Sequence, residues 1–194
     1  MKIELTAMPV GTTPAGFREG LTGQGGAVRW LVLDDPSARG GKVIAETSRD
    51  TADYRFPLCI CDSVSERDVE VSVFFKAVDG KVDQAAGLIV RAQDAQNYYV
   101  VRANALEANV RLYKVVDGVR RQIAGHNIEV TSGTWHRLSL RIVDDRLEAD
   151  FDGATVLIGR DQTFAGAGKA GLWTKADSLT HFAEFAVTAL APRP

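Results

Sequence analysis

Glu66-Arg67-Asp68-Val69-Glu70 places three carboxylates at alternate positions. In an extended segment such positions share a face, so the acids would stand in line. Two carboxyl groups flanking a glycosidic bond can cleave it, one as acid and one as nucleophile, when they come within roughly 5 Å of each other. In a strand the Cα atoms of Glu66 and Glu70 are about 13 Å apart, so the carboxylates would have to lean inward. The acids also fall opposite the apolar face Val69, Val71, Val73 and Phe75. Solvated charges on an outer strand face are the stronger reading.

Other chemistry-bearing residues are sparse. Gly166-Ala167-Gly168-Lys169-Ala170-Gly171 spells Gly-x-Gly-x-x-Gly. The phosphate-binding version follows a strand and opens a helix; this one precedes an apolar run, which predicts a loop-to-strand turn. His126, His136 and His181 are dispersed, and His136, beside Trp135, reads as a structural strand residue. Cys59 and Cys61 would point the same way from a strand. Their Cα atoms would be roughly 6.5 Å apart, which is awkward for a disulfide. No second cysteine pair completes a metal site, so they read as small buried hydrophobes. Asp34-Asp35, Asp50 with Asp53, and Asp144-Asp145 offer oxygen ligands without the spacing of a calcium loop. No metal site or cofactor is assigned, and a structural calcium ion has no assignable position.

The elements that must position these groups follow from composition and periodicity. The 194 residues are 45% hydrophobic and 25% charged, which excludes a disordered or fibrous chain. A chain of this length buries one core without disulfides or metals. The net charge of -2 leaves no basic excess for nucleic acid. No apolar run is long enough for a transmembrane helix. Glu4 and Thr6 stand where a signal peptide needs an apolar core, so no secretion signal is expected in the chain, and the compartment stays open.

Alternation with period two dominates. Val69, Val71, Val73 and Phe75 share one face, and Leu138, Leu140 and Ile142 oppose Arg137, Ser139 and Arg141. Further strands are expected at 27–33, 42–47, 55–60, 86–92, 98–103, 110–116, 146–151, 170–174 and 181–188. Asp79-Gly80, Asp117-Gly118 and Asp152-Gly153 carry the chemistry of type I′ hairpin turns, with Asp144-Asp145 a weaker version. Nothing runs long at helical period; residues 103–108 would make one turn at most. Residues 1–26, rich in Gly, Thr and Pro, read as an irregular lead-in packed on the domain, with a first edge strand conceivable at 2–6. Residues 27–194 then form a single all-β domain, a sandwich of two antiparallel sheets.

Gly133-Thr134-Trp135-His136-Arg137-Leu138, with Phe151-Asp152-Gly153 after the next hairpin, resembles the Trp-His and Asp-Gly signature of laminin-G-like and concanavalin A-like jelly rolls. Residues 97–107 and 167–178 are similar to bacterial proteins of the 3-keto-disaccharide hydrolase group, relatives of family-sixteen glycoside hydrolases. Residues 53–58 and 80–85 extend the resemblance over most of the chain. It implies a concanavalin A-like jelly roll, frequent export and a carbohydrate connection, without a known active site. Glu66-x-Asp68-x-Glu70 is similar to the motif of family-sixteen retaining glucanases, in which the first Glu is nucleophile, the last is acid/base and the Asp tunes them. Where the family commonly reads Phe-Asp-Asp, this chain has Phe182-Ala183-Glu184 and lacks the first acid.

Strand faces locate a candidate site. Tyr99, Val101 and Ala103 would face the core, leaving Tyr98, Arg102 and Asn104 outward. The same count puts Arg91, then Arg111 and Tyr113, then Trp173 and Lys175 outward on other strands. These eight residues form the candidate ligand-binding set. Aromatic faces stack on pyranose rings, and guanidinium groups bind hydroxyls or carboxylates bidentately. The leading expectation is a laminin-G-like or lectin-like domain binding carbohydrate on one sheet face. If a ligand offsets the three neighbouring arginines, an acidic sugar such as a uronate is the best candidate. The alternatives are a glycoside-acting enzyme with unassigned catalytic acids, and a structural or adhesion module. In the latter the lead-in would cover the face and acids such as Glu107 or Asp177 would pair the arginines.

Overall fold

The alternating segments fold as strands. The computed structural model describes residues 1–191, and among them there are fourteen strands and no helix. A front sheet holds β1 (Phe17–Gly23), β4 (Arg55–Glu66), β13 (Gly168–Trp173), β6 (Ala85–Ala92), β7 (Tyr98–Asn104), β8 (Asn109–Val116) and β9 (Val119–Asn127), side by side in that order. A back sheet holds β12 (Ala154–Arg160), β11 (Arg146–Phe151), β10 (Trp135–Val143), β5 (Val69–Asp79), β14 (Leu179–Ala189), β3 (Lys42–Glu46) and β2 (Trp30–Asp34). Neighbours are antiparallel throughout, giving a jelly-roll sandwich.

The core between the sheets is the one the alternation predicts. Val71, Val73, Phe75, Leu138, Leu140 and Ile142 from the back sheet meet Leu88, Val90, Tyr99, Val101, Leu112 and Leu172 from the front. Cys59 and Cys61 lie in this core as free thiols, and burial pushes the Cys59 thiol up. Asp117-Gly118 and Asp152-Gly153 both take positive φ at both residues and close the β8–β9 and β11–β12 hairpins. Asp79-Gly80 does not make a hairpin. It starts the crossing from β5 in the back sheet to β6 in the front. A Cβ at Gly80 would meet the Asp83 carbonyl oxygen at 1.8 Å.

Three strands escape the periodicity. The lead-in 1–26 is irregular only in part, because Phe17–Gly23 pairs along its length with β4 as an edge strand. Glycines in that stretch hide its alternation. In the segment 2–6 only Lys2 makes a bridge, to Ala186. β9 is mostly exposed on both faces, and β12 carries a run of apolar residues without alternation. All three are sheet edges, where one face or both see water and the apolar pattern fades. Residues 105–108 form the β7–β8 turn rather than a helical turn, with Ala108 at φ 48.

The front sheet has a second apolar layer on its outer face. Phe56, Leu58, Ile60, Ile89, Tyr98, Val100, Tyr113, Val115 and Trp173 cluster there. The β6–β7 turn folds back over part of it: the Ala95 carbonyl accepts the Thr22 hydroxyl, and the Gln96 amide donates to the Leu21 carbonyl at 2.9 Å. Space for the indole comes from Gly87, where a Cβ would stand 2.9 Å from the Trp173 ring and 2.9 Å from the Val101 carbonyl oxygen. Gly87→Ala is therefore expected to overpack the layer and cost roughly 1–3 kcal/mol in urea unfolding, with the strand-rich circular dichroism spectrum retained.

Candidate functional site

Antiparallel register aligns one row across the front sheet. Trp173 pairs with Gly87, Gly87 with Arg102, Arg102 with Arg111, and Arg111 with Gly125. Directly opposed residues point to the same face, so Trp173, Arg102 and Arg111 share the outer surface. Tyr98, Tyr113, Asn104 and Lys175 join them around the row. Arg91 does not. It lies four residues along β6 from Gly87, about 13 Å away, at φ 47. Its guanidinium donates to the carbonyls of Arg67 and Phe164 and to Asp68, and it is 1% exposed.

The outward residues are less open than alternation suggests. Tyr98, Asn104 and Trp173 are fully buried, Tyr98 and Trp173 as members of the second layer. Trp173 stacks on Phe56 at 5.3 Å and donates its indole N–H to the Tyr98 hydroxyl. Burial pushes the Tyr98 phenol up to about 12, against hydrogen bonds from Thr22 and Trp173. Arg102 is also buried, and donates to Glu107 at 2.7 Å, Asn109 at 2.8 Å and the Tyr113 hydroxyl at 3.3 Å. Arg111 donates to Asn127 at 2.6 Å. Asp177, a proposed partner for the arginines, instead accepts the backbone N–H groups of Lys81, Val82 and Asp83.

The open part of the face is polar and adds Arg120 and Tyr54, which the sequence reading did not gather, to Lys175 and Glu107, which it named. Arg120 of β9 reaches over the second layer, its guanidinium carbon 4.5 Å from the ring centres of Phe56 and Tyr113 and 6.0 Å from that of Trp173. Its Nη1 is buried without a hydrogen-bond partner. Tyr54 steadies this strand by donating to the Gly118 carbonyl and accepting the Arg120 N–H. Lys175 bridges Asp53 at 2.7 Å and Asp83 at 2.8 Å. Asp83 also accepts the Asn104 amide. The two acids respond oppositely: burial raises Asp83, whereas the Lys175 ammonium lowers the exposed Asp53. Burial pushes Glu107 up, but hydrogen bonds and charge from Arg102, with a hydrogen bond from Asn109, outweigh it and hold the carboxyl below its ordinary range. The signal for Arg120 was present in the sequence: Asp117-Gly118 fixes a hairpin, so a strand must start directly after it.

The Glu66-x-Asp68-x-Glu70 motif does not assemble an acid pair. Glu66 ends β4 in the front sheet, Glu70 belongs to β5 in the back sheet, and Asp68 sits in the turn between. Asp68 is not a solvated charge either. It is buried, accepts the Asp144 N–H at 2.8 Å and pairs with Arg91 at 3.1 Å. Gly168 and Gly171 serve close packing, since a Cβ at either would strike the backbone of Arg91 or Cys59. His136, in β10, has Asp152 and the Thr131 carbonyl at its two ring nitrogens. The paired aspartates are engaged by protein groups: Asp35 by Lys76, Ser37 and His181, Asp144 by Arg67, and Asp145 by Arg160. Among the described residues, no three His, Cys, Asp or Glu side chains gather as a metal site.

No protein-family model matches the chain, and no curated protein sequence matches it. Solved structures share the fold. The carbohydrate binding module CBM66 from Bacillus subtilis superposes with a TM-score of 0.67 at 23% identity, over 84% of this chain and 94% of that one. A protein of unknown function with a galectin-like fold, also from Bacillus subtilis, gives 0.61 at 12% identity over 91% and 90%. A carbohydrate esterase from a Shiga toxin-encoding bacteriophage gives 0.53 at 14% over 89% and 91%. At these identities the likeness establishes the jelly-roll fold.

Removing the acid from the buried pair tests the structural role of Arg91. Asp68→Asn leaves the guanidinium without its counter-charge and is expected to destabilise the fold by roughly 3–5 kcal/mol, read from the shift in urea midpoint.

Proposed function

We propose that the chain is a carbohydrate-binding sandwich domain that recognises a sugar on the outer face of its front sheet. The observation that carries the reading is Arg120, over Phe56 and Tyr113 with one guanidinium nitrogen unpaired, on the face that also carries the accessible carboxylates of Glu107, paired with Arg102, and Asp53, paired with Lys175. Sugars offer apolar C–H faces for aromatic rings and hydroxyls that both donate and accept hydrogen bonds. Arg111, Arg120, Lys175, Glu107 and Asp53 form the proposed contact surface, with Arg102 and Tyr113 buried behind it. Tyr98, Asn104 and Trp173 support it from beneath, and Arg91 anchors the sheet rim. The carbohydrate-binding module among the similar structures supports this reading.

The charge balance favours a neutral sugar over a uronate at this face. Arg102 and Lys175 already have carboxylate partners, which an acidic ligand would have to displace. Hydrolysis of a glycoside or an oxidised disaccharide, the enzymatic reading of the resemblance, is less well supported. It needs two accessible carboxyl groups with pKa values pushed apart. Here the raised acid, Asp83, is 1% exposed, while the accessible acids are lowered and suit hydroxyl recognition.

Calorimetric titration with neutral and uronate-containing oligosaccharides tests the assignment. Glu107→Gln and Arg120→Ala are each expected to weaken neutral-sugar binding by about 1–3 kcal/mol while the fold is kept. Because the Glu107 carboxyl is held below its ordinary range, it stays ionised as pH falls, and affinity is expected to be flat from about pH 7 to 5. If neither class of sugar binds at millimolar concentration, or both variants bind like wild type, a structural or adhesion module replaces this reading.

A further inference from the structure

We infer a second ligand site on the opposite side of the sandwich, a groove over the outer face of the back sheet that takes a carboxylate-bearing sugar. Two hollows, about 280 Å³ and 190 Å³, meet at the same two side chains, Arg39 and Glu184. The larger runs beside Lys2–Thr6 and Lys42; the smaller is lined by Phe74 and Trp135. The smaller holds the volume of about six waters, the scale of a single sugar ring.

Glu184 is aimed into this groove by a backbone irregularity. The β14–β5 register shifts between Ala183 and Ala186, and Glu184 sits at φ 54, a conformation side chains rarely adopt. Bulges re-aim side chains next to sites, and such strained residues cluster there. The carboxylate closes on Lys2 at 2.8 Å, whereas Arg39 approaches it only to 3.8 Å and is 83% exposed. Lys42 is spent on the carbonyls of Thr6 and Met8. Arg39 is thus the cation of the groove with the most freedom to take an external anion, and a guanidinium grips a carboxylate with two parallel hydrogen bonds.

The other end supplies a platform. Phe74 is 38% exposed, and Ala38, Ala183 and Trp135 line the same hollow. Beside it, Trp135 is locked: its indole N–H donates to Ser37 at 3.0 Å, and Lys76 lies 4.9 Å over its ring. Lys76 is held in turn by Asp35, which also pairs with His181. A ring stacked on Phe74 with its carboxylate on Arg39 satisfies both ends. Trp135 and Lys76 are already held, which limits the ordering cost of binding at that end.

Titration of the full chain with a galacturonate disaccharide and its neutral counterpart tests the site. Arg39 and Phe74 are exposed, so their variants keep the fold, with circular dichroism as the check. Arg39→Ala and Phe74→Ala are each expected to weaken uronate binding about tenfold, while neutral-sugar binding, which rests on the front-face reading, is unchanged by both. Arg121→Ala, an exposed arginine outside both sites, should leave uronate binding unchanged. The inference is overturned if the uronate does not bind at millimolar concentration, or if the Arg39 and Phe74 variants bind it like wild type. It is also overturned if Arg120→Ala, rather than Arg39→Ala, abolishes uronate binding, an outcome that keeps sugar binding on the front face but removes its preference for neutral sugars.

Discussion

The register among β13, β6, β7 and β8 is the constraint on which the outer face depends. It sets Trp173, Gly87, Arg102 and Arg111 in one row. A slip of one residue would turn every one of them toward the inter-sheet core. Glycine opposite tryptophan is the complementarity that pins the row, since only a missing Cβ leaves room for the indole. The indole then bonds to Tyr98, and Tyr98 to Thr22 on the edge strand β1. One half of the face becomes a rigid apolar bed, and the polar half is held against it.

Charge is handled by burial with compensation. Arg91 meets Asp68, and Arg55, fully buried, meets Glu46, Ser48 and the Ala27 carbonyl. Such pairs return little net stability once desolvation is counted, but a mispaired arrangement strands a charge in low dielectric. Both arginines tie strands to turns far away in sequence. They act as checks on topology where hydrophobic contacts alone would tolerate sliding.

The inner core was legible because both sheets alternate cleanly over it: Val69 to Phe75 and Leu138 to Ile142 fall where the period places them. Counting outward gave the right face for Arg102, Arg111, Tyr98, Tyr113 and Trp173. It gave no sense of their exposure, because strand periodicity says which way a side chain points and nothing about what lies above it. The β6–β7 turn and Arg120 are that cover, and both come from segments without apolar rhythm. Arg91 was misplaced for another reason. Antiparallel pairing sends the end of one strand beside the start of the next, so arginines on three consecutive strands need not be neighbours. The three acids of Glu66, Asp68 and Glu70 looked collinear only while their segment was taken as one strand; the chain changes sheets inside it.

Arg120 stands on a strand that has a partner on one side only, β8. Hydrogen bonds of such a border strand are the cheapest in the sheet to break, and local opening there proceeds without global unfolding. Yet Ile123 and Ala124 of the same strand pack against the inter-sheet core, and Tyr54 holds its first residues. The cover over Phe56 and Tyr113 is thereby moored to the sandwich through the strand that carries it.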